Sequence, residues 1–197
     1  MNRHLVLASA ILLSIYSIIP LLLHHNDVLM IMGFLAPEYM ATQIPILNSY
    51  SIWNYSHRIG GPLLLLIYLL QSKGFSKYHS TLGYIYLMLV FVMSIGGTYI
   101  VLISPFNPNE TLPTLFFALL LLTFTLCGIT SIKSGDLKNH VKWMNRSFAI
   151  ALGPLTVRIV YMILSLFMSE YEAMTPSFCI GWGLPLILME VFGKEKE

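Results

Sequence analysis

Six long stretches of this chain are nearly free of charge, and that fixes what it can fold into. Residues 5–23 and 112–132 contain no acidic or basic side chain. Residues 51–71 are interrupted only by His57 and Arg58, and 79–104 contain only His79. Residues 137–168 carry Lys138, His140, Lys142, Arg146 and Arg158, and 176–192 carry Glu190. About 20 apolar residues in a helix cross the hydrocarbon core of a bilayer. Backbone polar groups must be satisfied within the segment or in a closed barrel, and the ten-residue alternation of barrel strands is missing. The expectation is an all-α fold: one transmembrane domain over residues 1–197, a polytopic bundle of six transmembrane helices.

Composition agrees. Charged residues are 10 % of the chain, against roughly 25 % in a soluble domain. A mean hydropathy of +0.74 at 22.3 kDa excludes a soluble globule, whose interior would be too small to hide this apolar surface. The net charge of +2 gives no field for nucleic acid.

The first stretch follows Arg3 and resembles a signal peptide, but it outruns a usual apolar h-region, and His24-His25-Asn26-Asp27 is a poor cleavage site. It reads as a retained helix. With the N-terminus in the cytoplasm, nine of the eleven Lys and Arg residues fall on inner segments: Arg3, Lys73, Lys77, Lys133, Lys138, Lys142, Arg146, Lys194 and Lys196. The outer segments 24–50, 105–111 and 169–175 carry none. This bias predicts six spans with both termini cytoplasmic. The outer segment 24–50 has the apolar content of an interfacial helix. Cys127 and Cys179 sit at different depths, so two free thiols are expected rather than a disulfide. Pro20, Gly60-Gly61-Pro62 and Gly153-Pro154 are candidate kinks.

Ionisable side chains inside a span are costly and usually face the bundle interior. They fall here into an outer group (His57, Arg58, Arg158) and an inner group (His79, His140, Arg146, Glu190). His57 and His79 both open a His-x-x-x-Gly pattern, with Gly61 and Gly83 one turn on along the same face. A glycine there leaves room for a flat group against the backbone. His79 and His140, at similar depth on different helices, suit the axial positions of a b-type haem. Alternatively, with Glu190 they would suit a divalent metal such as zinc. Arg146 and Arg158 would serve as counter-ions for carboxylates. A histidine near a helix end can equally do no more than bond a neighbouring carbonyl. The segment from Ser134 to Ser147 begins with a turn and an Asp136 N-cap. His140, Trp143 and Ser147 then form an inward face, while Lys138, Lys142 and Arg146 form a basic face toward lipid phosphates. No zinc-protease, phosphate-loop, nucleophile-elbow or dinucleotide fingerprint is present.

SHRIGGPLLLLIYLLQ (56–71), HSTLGYIY (79–86), HVKWMNRSFAIALGPLTVRIVY (140–161) and CIGWGLPLILME (179–190) together resemble a bacterial membrane family known as domain of unknown function 2306. The likeness covers about residues 50–192. It implies a bundle of membrane helices and singles out His57, His79, His140, Arg146 and Arg158, without implying an activity. Ser80 stands where the family carries Arg after the second histidine. The pattern is also distantly similar to the transmembrane di-haem b cytochromes, an analogy of fold alone.

Three functions follow as expectations. The first is a redox protein with haem b on His79 and His140, a second outer site at His57, and electron exchange with a quinone. The second is a transporter for a small solute or proton, lined by His57, Arg158, His140 and Glu190. The third is a non-catalytic accessory subunit whose polar residues lock helix packing. Haem requires two facing imidazoles beside a slot, transport a polar cavity open to one side, and the accessory reading closed packing.

Overall fold

A computed structural model describes residues 51–72, 76–103 and 108–192, with side chains described from Ile59 onward apart from 72, 76 and 108. The expected helix over 5–23, the outer segment 24–50 and the kink at Pro20 lie outside the described residues. The described chain is entirely helical: α1 (Ser51–Ser72), a 3₁₀ turn (Ser76–Tyr78), α2 (His79–Ile103), α3 (Pro108–Lys133), α4 (Leu137–Ala151), α5 (Gly153–Leu164) and α6 (Glu170–Phe192). No strand occurs among the described residues.

Among the described residues, three helices are long and apolar enough to cross a membrane: α2, residues 109–133 of α3, and α6, at mean hydropathies of 2.2, 2.3 and 1.4. The 25 residues of α2 rise about 37 Å at 1.5 Å each, more than the ~30 Å of hydrocarbon. Only 28, 17 and 17 % of their most apolar windows are buried inside the protein. Apolar side chains such as Leu102, Leu112, Leu119 and Ile187 are instead exposed. Helices apolar all round with little internal burial are built for lipid contact.

The stretch 137–168, expected as one span, is two helices. α4 and α5 meet at Leu152 with a bend of 41° and count together as a possible fourth span. Pro154 has no N–H for the carbonyl one turn back, and its ring crowds that turn, so the axis breaks at Gly153-Pro154. α5 stops at Leu164. By contrast α1 runs unbroken from Ser51 to Ser72 with Pro62 inside it.

The helices pack as antiparallel pairs α1/α2, α3/α4 and α5/α6, joined by contacts of α3 with α2 and α6 and of α4 with α1 and α6. The main core draws Leu64 and Ile67 from α1, Tyr86 and Val90 from α2, Leu121 from α3 and Ile150 from α4. Lipid offers no hydrophobic drive between helices, so close backbone approach matters. It occurs at Gly181, where a Cβ would lie 2.4 Å from Val157 Cα, and Thr156 Oγ1 donates to Gly181 O. Trp182 packs into the space left by Gly153. Gly60 and Gly61 both face Met93 of α2.

The α3–α4 turn follows from its residues. Gly135 adopts φ +81°, the left-handed position that ends a helix. Asp136 then caps α4, its Oδ1 accepting from Asn139 N at 2.9 Å. Asn139 Nδ2 donates to Oδ2 at 2.6 Å, and these donors hold the Asp136 carboxyl below its usual range. Helix α6 begins earlier than expected. Ser169 Oγ accepts from Glu172 N, and Glu172 Oε2 accepts from Ser169 N and Oγ, a reciprocal capping box.

Candidate functional site

At the end of the bundle where α1 gives way to α2 and α3 to α4, these four helices line an open cleft of about 510 Å³, within the size range of cofactor and small-molecule clefts. Its wall takes Tyr68 and Gln71 from α1, His79, Ser80, Gly83 and Tyr84 from α2, Thr125, Ile129 and Lys133 from α3, and His140, Met144 and Asn145 from α4, among others. Apolar atoms supply most of that wall. The C-terminal ends of α1 and α3 and the N-terminal ends of α2 and α4 lie here, and Lys77, Lys133, Lys138 and Lys142 are exposed.

His79 opens α2, where Gln71 Nε2 donates to its carbonyl at 3.0 Å and ties the ends of α1 and α2 together. His140 lies in the first turn of α4. The two imidazole centres are 6.2 Å apart at an interplanar angle of 73°. His140 Nδ1 is 2.8 Å from Gly128 O. A carbonyl only accepts, so in the neutral ring the proton sits on Nδ1 and the lone pair on Nε2. Gly128 permits this approach, since a Cβ there would meet Met144 Sδ at 2.7 Å. Gly83 lines the cavity on the far wall, where a Cβ would come within 3.4 Å of Gln71 Nε2.

Below the cavity lies a buried chain of hydroxyls. Tyr86 Oη and Ser147 Oγ are 2.8 Å apart, Ser147 Oγ and Thr125 Oγ1 are 2.8 Å apart, and Thr125 Oγ1 donates to Leu121 O at 2.8 Å. All three side chains are 0 % exposed. Three hydroxyl protons must find three acceptors. Thr125 uses its proton on the carbonyl, so Ser147 donates to Thr125 and Tyr86 to Ser147. Tyr68 Oη donates to Asn145 Oδ1 beside this chain, and its ring stacks on Phe148 at 3.8 Å.

The inward face expected for α4 is observed for His140, Trp143 and Ser147. Trp143 packs against Phe124 at 5.6 Å, and Ser147 is fully buried. The basic face is not uniform. Lys138 and Lys142 are exposed, but Arg146 turns inward, its Nε donating to Glu190 Oε1 at 2.6 Å and its guanidinium stacking over Trp143 at 4.7 Å. The expected His79, His140 and Glu190 metal set is therefore not assembled, because the Arg146 guanidinium draws the Glu190 carboxylate to itself. Among the described residues no three His, Cys, Asp or Glu side chains gather as metal ligands. Arg158 Nη1 donates to Pro154 O at 2.6 Å, well along the bundle from the cavity. The His57 and Arg58 side chains lie outside the described residues, and Gly61 packs on Met93 rather than lining the cavity. Cys127 and Cys179 are free thiols.

Tyr68, Thr125, Gly128, Lys133 and Asn145 escape a reading of the sequence that looks for titratable residues within spans. Tyr68 and Gln71 lie three apart on one face of α1, which was the available signal.

Residues 56–192 match a family described as predicted membrane protein (DUF2306). The chain belongs to this family. The match begins one residue before His57, within α1, and runs to the end of α6. No curated protein and no solved structure is significantly similar to the chain. This DUF2306 protein is an integral membrane protein whose cavity and polar seam both fall inside the family region.

Proposed function

We propose that this DUF2306 protein binds haem b in the α1–α4 cavity, with His79 and His140 as axial ligands, and carries electrons to or from a quinone in the same bilayer. One observation carries the reading: two imidazoles 6.2 Å apart on the wall of a mainly apolar cavity. Imidazoles this close, on two different helices, could both reach one group held in the cavity. The Gly128 carbonyl on His140 Nδ1 orients the ring, leaves Nε2 to ligate and raises its basicity. Gly83, one turn beyond His79, lines the same cavity. Haem held there by His79 and His140 would supply one-electron oxidation and reduction at its iron, which suits electron transfer. A path for a polar solute calls for a polar wall, and a purely accessory subunit calls for closed packing. The apolar cavity fits neither as well.

We further infer six spans, both termini in the cytoplasm and the cavity at the cytoplasmic face of a bacterial inner membrane. The exposed lysines at that end support this orientation. A reporter fused after Glu197 should read cytoplasmic, and an external signal would overturn the orientation.

The test of function is a visible spectrum of the full chain from a haem-replete host, before and after dithionite. The expected result is a Soret band that sharpens on reduction with resolved α and β bands, lost in both His79→Ala and His140→Ala. A colourless preparation, or full retention of haem by both variants, would refute the assignment.

A further inference from the structure

The cavity wall contains one fixed charge. Lys133, in the last turn of α3, is the only Lys, Arg, Asp or Glu among the described residues that line it. Around it the wall is apolar or neutral, with Ile129, Ile132, Leu137, Val141 and Met144 on the α3/α4 side. The arginines expected to meet carboxylates are engaged elsewhere: Arg146 with Glu190 and Arg158 with Pro154 O. The cavity is thus an apolar body with a cationic mouth, at the end of the bundle where Lys77, Lys138 and Lys142 are also exposed. An occupant complementary to it is amphipathic, with its anionic groups turned toward that mouth.

We infer that Lys133 is the positioning residue for the carboxylates of the cavity's occupant, setting which way round it enters. This rests on the haem reading above, where the carboxylates are the two propionates. The role differs from ligation: Lys133 would hold the acid edge at the bundle end while His79 and His140 hold the centre.

The full-length chain, purified free of haem in detergent, is titrated with iron protoporphyrin IX and with its dimethyl ester, following the Soret band. The wild-type protein should bind the diacid about fivefold more tightly than the diester, the upper end for a solvent-exposed ion pair. The preference should shrink as salt rises. Lys133→Met should bind both with the same spectrum and lose the preference. Lys138→Met, exposed at the same end but outside the cavity wall, should keep it. Equal binding of diacid and diester by the wild-type protein would overturn the role of Lys133 and leave the haem reading standing. Equal loss of the preference in both lysine variants would also overturn it, pointing to the general field of the basic face. Binding of neither porphyrin would overturn the haem reading itself.

Discussion

Replacing Ser147 with Ala should destabilise the bundle far more than a loss of one small hydroxyl suggests. The oxygen accepts from Tyr86 and donates to Thr125, both at 2.8 Å and in full burial. Interhelical hydrogen bonds in membrane proteins average about 0.6 kcal/mol and reach about 1.7 kcal/mol. Ser147→Ala removes two of them and also strands the Tyr86 proton without an acceptor, at about 1–3 kcal/mol for a buried orphan. Serine and alanine are close in volume, so no cavity term is added. The sum is about 2–4 kcal/mol. Tyr86→Phe removes only the head of the chain and leaves Ser147 and Thr125 satisfied, so it should cost about 0.6–1 kcal/mol. The direction of the chain then predicts a rescue. Tyr86→Phe on top of Ser147→Ala deletes the orphan proton, so the double variant should be more stable than Ser147→Ala alone. Unfolding titrations in mixed micelles, read by circular dichroism, measure all four species of the cycle. Additive costs, or a Ser147→Ala variant within about 0.5 kcal/mol of wild type, would refute the assigned direction.

Gly181→Ala places a methyl 2.4 Å from Val157 Cα and 2.5 Å from its N, where backbone must move. The expected loss is about 1–3 kcal/mol or more, seen as a lower midpoint in the same titration, whereas Gly183→Ala, with its nearest atom at 3.7 Å, should be near neutral. Arg146→Lys should not restore what Arg146→Ala loses, because the guanidinium both donates through Nε and stacks on Trp143. With Glu190 39 % exposed the loss should be about 1 kcal/mol, and equal stability of wild type and Arg146→Lys would contradict the stacked geometry. Asp136 has its folded pKa below the ordinary 3.8. Its contribution is therefore complete above that value and lost as pH falls through the lower folded value. Thermal melts of wild type and Asp136→Ala should keep their full separation above about pH 3.8 and draw together as pH falls below it through the lower folded value. A gap independent of pH would remove the charge from the cap.

The membrane class and the positions of α2 and α3 were legible because charge is scarce and the boundaries carry it: His79 and Lys133 stand at helix ends. The start of α6 was misread because Glu170 and Glu172 look like loop residues by polarity. At a helix N-terminus the same acids complement the dipole and close a capping box on Ser169. The inner group was half legible. Depth along the chain brought His79 and His140 together, and the structure sets them on one cavity. Depth alone could not decide that Glu190 belongs to Arg146, because that depends on which way two long side chains swing across α4 and α6. The hydroxyl chain was less visible still. Ser147 appeared as the third position of an inward face, but Thr125 lies in an apolar run and carries no charge to mark it. In lipid such neutral groups do the joining, because an interhelical hydroxyl bond avoids the desolvation that a buried charge demands. A reading that weighs only ionisable residues therefore finds the cavity's histidine edge and misses the seam that holds its walls in place.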